Sequence, residues 1–278
     1  MIQEPTSVNE ELKRLHEISE PQPDSYKGDP NFMASLARGL EVLQAFTPLC
    51  HTMTIAQISH STGIPRAAVR RCLYTLNVLG FVHAPDGRHF SLLPRVLTIG
   101  FAYLNSSELA RAAQNAMDYL SRQLNESCSV AILDGDNILY IARSSIKRIM
   151  KVDLGRGSRL PAYATSMGWV LLSDLGETAL EAYIARTALV PFTANTVTTG
   201  EQLRAQLAKV QAQGYAINDQ QLEMGLRSLA VPVHSARTRG VVAAMNIGVN
   251  AAQYSTSELR ERFLPFLQKA AMDLALLL

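Results

Sequence analysis

The sequence contains few of the residues on which cross-linked, metal-bound or membrane-embedded folds depend. Its three cysteines, Cys50, Cys72 and Cys128, are odd in number and form no C-x-x-C pair. They fit reduced thiols better than a disulfide framework or a zinc site. No apolar run approaches the roughly 20 residues that span a bilayer, and the first residues lack the layout of a signal peptide. We therefore expect a cytoplasmic protein without a metal or another cofactor.

Catalytic motifs are also missing from the sequence. The segment GRGSRL at 155–160 lacks the G-x-S-x-G nucleophile elbow and departs from G-x-G-x-x-G at its last position. The six histidines show no metal-ligand spacing, and His234 alone cannot make a triad. We expect no catalytic residues, and an enzyme acting on a small carboxylic acid is kept as a rival hypothesis.

Length and charge indicate two domains with different tasks. The chain has 278 residues, of which 47% are apolar and 18% are charged, so it can bury two ordinary cores. Its net charge of +2 argues against wholesale wrapping of nucleic acid. Residues 31–95 nevertheless carry six arginines and two acidic residues, a net charge of +4. Positive charge is therefore concentrated in one N-terminal module, as in a DNA-binding domain.

Residues 54–79 are typical of two short helices joined by a tight turn. Thr54 and Gln57 fit a capping box, Gly63 supplies the turn, and Pro65 suits the first turn of the second helix. Helical spacing in the second helix predicts a buried stripe of Val69, Cys72, Leu73, Leu76 and Leu79. The outward face then carries groups suited to the major groove of DNA, namely Arg66, Ala67, Arg70, Arg71, Tyr74 and Asn77.

The flanking segments complete a winged helix-turn-helix, which we assign to 31–95. Residues 81–92 alternate apolar and polar side chains around Asp86-Gly87, a strong hairpin signal, and the tip carries Arg88. A supporting helix at 35–46 is expected to turn Leu36, Leu40 and Leu43 mostly inward. The predicted DNA contacts are Thr54, Arg66, Ala67, Arg70, Arg71, Tyr74 and Arg88. A winged helix that binds protein is the alternative, which the clustered arginines disfavour.

The remaining chain predicts a tail, a linker and a second domain. Residues 1–30 read as a flexible tail, and 96–124 as a helical linker interrupted near Asn105, which either spaces the domains or pairs with a symmetry mate. The segment 125–278 is expected to be α+β. Its strands are predicted at 129–133, 138–143, 149–154, 215–217, 228–233 and 241–249. Its helices are predicted after Pro161 with Thr165 or Ser166 as cap, at 177–186, at 199–213 and from Ser255.

Over residues 32–278 the sequence resembles the IclR family of bacterial transcriptional regulators. The segments that carry the resemblance are SLARGLEVLQAF, RLPAYATSMGWVLL, GYAINDQQLEMGLRSLAVPV and VVAAMNIGV. FMASLARGL, YIARSS and KRIMKVDLG are most similar to the branch that controls protocatechuate, 4-hydroxybenzoate and β-ketoadipate catabolism. The resemblance implies a GAF-like effector-binding domain at 125–278, a homodimer or dimer of dimers, and a near-palindromic operator on double-stranded DNA.

The resemblance also implies an effector pocket between the sheet and the helix that follows RLP. The ligand-binding residues that it implies are Ser166, Met167, Asn218, Asp219, Ser228, Asn246 and Gly248. A helix start offers free amides to a carboxylate, Asn246 offers a donor and an acceptor, and Gly248 leaves room for an aromatic ring.

Arg143, in YIARSS, is the predicted anchor for a small aromatic or dicarboxylic acid, because a guanidinium binds a carboxylate through two parallel hydrogen bonds. A structural ion pair with Asp134 or Asp153 is the alternative. Trp169 stands where the family usually has lysine or arginine, and is expected at a pocket rim or a subunit contact.

Overall fold

The computed structural model describes residues 26, 28–47, 50–146 and 154–278. The chain divides into two compact units, with the boundary between Ser106 and Ser107. The tail predicted at 1–30 and the strand predicted at 149–154 fall almost wholly outside the described residues. Within those residues, no helix is long and apolar enough to cross a membrane.

In the residues that the structure describes, the N-terminal unit combines four helices with a small antiparallel sheet. Its helices are α1 (Ala34–Gln44), α2 (Ile55–Thr62), α3 (Arg66–Val78) and α4 (Leu97–Ser106), the last preceded by a 3-10 turn at Pro94–Val96. Its strands are β1 (Thr52–Met53), β2 (Val82–His83) and β3 (Phe90–Leu92), in the order β1-β3-β2. The predicted helix pair and hairpin are confirmed. The two-residue β1 was not predicted, since it is too short to show alternation.

Local hydrogen bonds explain why α2 and α3 meet at a tight turn. The Thr54 amide donates to Gln57 Oε1 at 2.8 Å, and the Gln57 amide donates to Thr54 Oγ1 at 3.3 Å, which completes the predicted capping box. Gly63 has a φ of 71°, a left-handed conformation that costs glycine little. Pro65 then occupies the capping position of α3 rather than its first turn.

Two predictions about the core of this unit were wrong. Leu36 and Leu40 are 57% and 49% exposed, whereas Val42 is fully buried. Val42 lies more than 100° around α1 from the Leu36–Leu40 edge, at about 100° per residue, and it is this other edge that packs on the core. Leu79, expected in the buried stripe of α3, lies just past the end of that helix and is 49% exposed. Cys72 is half-buried.

The C-terminal unit is built on a six-stranded antiparallel sheet. Its strands run in the order β6-β5-β4-β9-β8-β7. They are β4 (Ser127–Asp134), β5 (Asn137–Ser144), β6 (Arg159–Pro161), β7 (Ala216–Asp219), β8 (Leu226–His234) and β9 (Val241–Asn250). Its helices are α5 (Glu108–Leu124), α6 (Ser166–Ser173), α7 (Glu177–Arg186), α8 (Gly200–Gln213), α9 (Thr256–Glu258) and, after a π-helical turn at Leu259–Phe263, α10 (Leu264–Ala275). The short β6 was not predicted.

The helices cover the sheet on both sides. Helix α5 packs on β4 and β5, and α10 packs on β8 and on α5. Helix α6 packs across β8, β9, β7 and β4, with α8 against it. The segment predicted as one linker, 96–124, is two helices that meet at Ser107, and each belongs to a different unit.

A tight contact seats α6 against the chain that leads into it. The Thr165 hydroxyl accepts from the Gly168 amide at 3.0 Å and so caps the helix, as predicted. A Cβ on Gly168 would lie 2.0 Å from the carbonyl oxygen of Ala162, so this position requires glycine. Trp169 is 1% exposed and donates from Nε1 to the Tyr163 carbonyl at 2.6 Å. It is therefore a core residue, and its expected place at a pocket rim or subunit contact was wrong.

We expect Gly168→Ala to destabilise the protein severely. The added methyl group would overlap backbone atoms of Ala162, which cannot rotate away, so the free energy of unfolding should fall by about 3 kcal/mol or more. Gly176→Ala is the matched control, since a Cβ added there would meet no heavy atom within 4 Å, and it should change that free energy by less than about 1 kcal/mol. Chemical denaturation followed by Trp169 fluorescence measures both. Similar stabilities of the two variants would contradict the steric argument.

Candidate functional site

The outward face of α3 presents free cationic groups. Arg66, Ala67, Arg70 and Arg71 are exposed, and Tyr74 is 70% exposed, while Val69, Leu73 and Leu76 are buried beneath them. No ion pair joins these arginines to a carboxylate anywhere in the described parts of the chain. Guanidinium groups without internal partners remain available to phosphates and base edges. Thr54, by contrast, uses its hydroxyl for the α2 cap.

A carboxylate holds the tip of the hairpin in one conformation. Asp86 accepts from the Arg88 and His89 amides at 2.9 and 2.8 Å and contacts the His89 ring at 2.6 Å. The hydrogen bonds from His89 and Arg88 hold the pKa of Asp86 well below its usual range. The turn itself closes between Ala84 and Gly87, so the loop is longer than a two-residue hairpin turn. Arg88 is left exposed at its tip.

In the C-terminal unit, a small cavity lies between the sheet and the start of α6. Six of the eight predicted ligand-binding residues line it, namely Arg143, Ser166, Asn218, Ser228, Asn246 and Gly248. Sequence reasoning missed the other lining residues, which are Ser127, Tyr140, Leu154, Leu160, Ala164, Thr165, Leu222 and Leu226. The predicted Met167 and Asp219 are not among them. Met167 is fully buried in the core, and Asp219 is bound to Arg227 at 2.7 Å.

An irregularity in the sheet brings Tyr140 and Arg143 onto the same face. The β4–β5 register shifts between Val130 and Ala131, so that Val130 pairs with Ala142 but Ala131 pairs with Tyr140. The extra residue, Ile141, interrupts the alternation that would otherwise put Tyr140 and Arg143 on opposite faces. The Arg143 guanidinium carbon lies 5.9 Å from the centre of the Tyr140 ring.

Arg143 has one side of its guanidinium occupied and the other side free. Nη1 donates to the Ser129 hydroxyl at 2.9 Å. Nε is buried and has no hydrogen-bond partner, and the described residues place no carboxylate in an ion pair with Arg143. Asp134, offered above as an alternative partner, pairs instead with Arg159 at 2.9 Å, and Asp153 lies outside the described residues. The Nε–Nη2 side has the fork geometry that a carboxylate matches.

Tyr140 adds a neutral hydroxyl to the same cavity. Burial raises the pKa of Tyr140 to about 12, and the charge of Arg143 opposes this rise only in part. The hydroxyl therefore keeps its proton near neutral pH and can donate it. It has no hydrogen-bond partner among the residues that the structure describes.

The amides and hydroxyls of the cavity differ in how far they are already satisfied. Asn218 donates to the Ala164 carbonyl at 2.9 Å and accepts from the Gln221 amide at 3.2 Å. Ser166 and Ser228 hydrogen-bond to each other at 2.8 Å. Asn246, across the sheet, has no side-chain partner within the described ranges. Asn246 is therefore an open polar group, whereas Asn218 chiefly ties β7 to the lead-in of α6.

The cavity is small in this conformation. Its volume is about 30 Å³, room for one or two water molecules. A neighbouring hollow of about 100 Å³ shares Ser127, Leu226 and Gly248 with it. A Cβ on Gly248 would contact Leu226 Cδ1 at 3.8 Å, so the glycine leaves space next to that side chain. No cluster of three metal-ligating side chains occurs in the described segments.

Two sequence models of one bacterial family match this chain. The IclR helix-turn-helix domain matches residues 35–85, and the C-terminal domain of the bacterial transcriptional regulator IclR matches residues 101–276. The chain belongs to the IclR family. This membership confirms the predicted fold class, an N-terminal winged helix-turn-helix followed by a GAF-like α+β domain.

IclR-family relatives also confirm the predicted branch. The Pca regulon regulatory protein of Pseudomonas putida is 51% identical over 251 residues, which cover 90% of this chain and 86% of that protein. A solved structure assigned as a transcriptional regulator from Rhodococcus sp. RHA1 is 42% identical, with a TM-score of 0.75 over 89% of this chain and 98% of that one. The PobR inducer-binding domain from Acinetobacter, a double mutant solved with 3-hydroxybenzoic acid, is 29% identical, with a TM-score of 0.55 over 59% of this chain and 96% of that one. All three carry the names of transcriptional regulators or of a regulator's inducer-binding domain.

The hydrogen bonds of Asn218 predict a structural effect that Asn246 should not share. Asn218→Ala leaves the buried Ala164 carbonyl and the Gln221 amide without partners, so the free energy of unfolding should fall by about 1–3 kcal/mol. Asn246→Ala removes no side-chain hydrogen bond that the described residues make, and it should change that free energy by less than about 1 kcal/mol. Urea denaturation of both variants without ligand tests this, and equal losses of stability would contradict it.

Proposed function

We propose that this chain is a transcription factor that binds an operator through α3 and the β2–β3 hairpin and responds to a small aromatic carboxylate held at Arg143. The observation that carries the effector half is the buried Nε of Arg143, which has no hydrogen-bond partner among the described residues and lies in a cavity otherwise lined by neutral groups. The observation that carries the DNA half is the set of arginines on α3, which have no partners within the part of the chain that the structure describes.

Charge and hydrogen bonding favour a carboxylate with a ring attached. The Nε–Nη2 side of Arg143 would take the two carboxylate oxygens, while Nη1 keeps its bond to Ser129. Tyr140 would donate to the same carboxylate, and Asn246 and the Ser166–Ser228 pair would meet a hydroxyl farther along the ligand. The apolar lining, including Leu160 and Leu222, suits the faces of an aromatic ring. The Acinetobacter PobR inducer-binding domain, solved with 3-hydroxybenzoic acid, supports the same class of ligand.

The cavity must enlarge to admit such an acid. A volume of about 30 Å³ cannot hold a benzene ring. Leu226 lines both this cavity and its neighbour, so a change in its rotamer would join the two hollows next to Gly248. We propose that effector binding includes this movement.

The regulatory assembly is proposed from the family and from the requirements of operator binding. A homodimer would place two α3 helices in successive major grooves of a near-palindromic site. Arg66, Arg70, Arg71 and Tyr74 would face the groove, with Ala67 allowing close approach and Arg88 reaching a phosphate or the minor groove. Because the protein would act on DNA, the proposed location is the cytoplasm. The effector can change operator affinity by no more than the ratio of its own affinities for the DNA-binding state and the non-binding state of the protein.

Effector binding should depend on Arg143 and Tyr140. A thermal-shift panel of 4-hydroxybenzoate, protocatechuate, β-ketoadipate and terephthalate should give at least one acid that stabilises the wild type by about 2.7 kcal/mol at 100 Kd. Arg143→Ala should abolish this shift, and Tyr140→Phe should weaken affinity by about 1–2 kcal/mol through the lost hydroxyl. Arg159→Ala, whose partner is Asp134, is the matched arginine control and should keep the shift. No response to any acid in the wild type would contradict the effector class.

Operator binding should depend on Arg70. With a duplex selected by the wild-type protein from random DNA, Arg70→Ala should lower affinity by about 1–3 kcal/mol if the side chain reads a base. Arg88→Ala should weaken binding to all DNA sequences by a similar factor. It should also reduce by about one the slope of the logarithm of the binding constant against the logarithm of salt concentration. Arg111→Ala, an exposed arginine on α5, is the control and should bind as the wild type does. Gel-shift titration measures all three. Failure of the wild type to select DNA would favour a protein-binding winged helix.

A further inference from the structure

The edge of the sheet at Arg143 is completed by a side chain instead of a strand. Strand β6 pairs with β5 only at Asn137–Leu139, and the 157–158 turn satisfies the edge at Tyr140. Beyond that point the outer side of β5 is met by Gln114 of α5. Its Oε1 accepts from the Arg143 amide at 3.2 Å, and its Nε2 donates to the Arg143 carbonyl at 3.1 Å. A strand edge left unsatisfied in this half-buried position would be unfavourable, so the amide replaces a neighbouring strand.

The orientation of the Gln114 amide is fixed by a third bond. Nε2 also donates to Asp118 Oδ1 at 2.9 Å, one turn farther along α5. An ionised carboxylate only accepts, so it must face the NH₂ end of the amide and not the oxygen. Both protons and the oxygen of Gln114 are therefore engaged, and the clamp on the Arg143 backbone has one orientation.

Arg143 thus connects the cavity and α5 through two parts of the same residue. Its guanidinium lies in the cavity, where Nε has no partner from the described ranges, while its peptide groups are bound to α5. A carboxylate that binds the Nε–Nη2 side pulls on the Arg143 side chain. Any shift of the β5 backbone that results acts directly on Gln114, because Gln114 is hydrogen-bonded to that backbone. Helix α5 starts at Glu108, six residues before Gln114, or about 9 Å along the helix axis. Helix α4 of the N-terminal unit ends at Ser106, and Ser107 is the single residue between the two helices.

We propose that Gln114 is the positioning residue that couples effector binding at Arg143 to α5, and through α5 to operator affinity. This proposal rests on the effector site proposed above. Gln114 touches no ligand. Its task is to make the position of α5 depend on the state of Arg143, so its loss should separate ligand binding from the regulatory response.

The test compares Gln114→Met with Gln123→Met. Methionine keeps the length and helix propensity of glutamine but cannot make any of the three hydrogen bonds. Gln123 is exposed on the same helix and serves as the matched control. For wild type and both variants, calorimetry measures affinity for the best acid of the panel, and gel shifts measure operator affinity with and without saturating acid.

The expected result is a split between the two readouts. The acid should change the operator affinity of the wild type and of Gln123→Met by roughly 5- to 150-fold. Gln114→Met should bind the acid within about threefold of the wild type, yet its operator affinity should change less than about twofold. A full response in Gln114→Met would overturn the proposal, and so would a loss of acid binding beyond about tenfold, because Gln114 would then only support the anchor. If Gln114→Met fails to fold, Gln114→Glu removes both donors while keeping the acceptor, and the same criteria apply.

A second measurement needs no effector, so its result tests the role of Gln114 independently of which class of acid binds. Coupling is reciprocal, so operator DNA must alter the Arg143 end of β5. Hydrogen exchange of the peptide that contains Arg143 should change when the selected duplex is added to the wild type, and should not change in Gln114→Met. An unchanged peptide in the wild type would overturn the relay. A change there combined with silence across the acid panel would count against the ligand assignment alone.

Discussion

The contact between Gly168 and the Ala162 carbonyl determines where α6 can lie, and the cavity depends on that position. With no side chain at Gly168, the helix can pack against its own lead-in. The same lead-in is also held by three side chains, one from α6 itself and two from other elements. Tyr183 of α7 accepts from the Tyr163 amide, Trp169 donates to the Tyr163 carbonyl, and Asn218 of β7 donates to the Ala164 carbonyl. The helix start that faces the cavity is therefore fixed by buried hydrogen bonds before any ligand arrives, which reduces the entropic penalty of binding.

Helix limits that depend on the local sequence could be predicted, whereas short strands that depend on pairing with distant residues could not. The capping boxes at Thr54 and Ser255 and the glycine ends at Gly63 and Gly214 fix helix limits within a few residues, so those limits agree with the structure. Strands β1 and β6 are two and three residues long and exist because partners from elsewhere in the chain pair with them. Their own residues carry no alternation from which they could be predicted.

The same distinction explains which residues of the candidate site could be predicted from the sequence. Arg143 and the Ser166, Ser228 and Asn246 positions follow from motifs, and these residues do line the cavity. Tyr140 could not be predicted, because the bulge at Ile141 overrides the two-residue period that assigns side chains to faces. Met167 does not line the cavity, because a motif identifies a helix start without saying which side of it faces the cavity. Its neighbour Ser166 lies on the cavity side, about 100° around the helix from Met167.

The two units also differ in how they use charge. In the C-terminal unit, arginines such as Arg159, Arg186, Arg204 and Arg227 are paired with carboxylates. On α3 the arginines have no such partners in the described chain, which leaves their charge to act on phosphates. The small net charge of the whole chain therefore conceals a local excess of positive charge in the N-terminal unit.

The burial of Trp169 has a spectroscopic consequence. The chain has one tryptophan, and it lies in the core of the C-terminal unit with its indole N–H bonded to a carbonyl. Indole emission from an apolar interior is blue-shifted and moves to the red when that core opens. Tryptophan fluorescence therefore follows the unfolding of one unit and is silent for the other, whereas far-ultraviolet circular dichroism follows both. The difference between the two signals isolates the melting of the DNA-binding unit without cutting the chain.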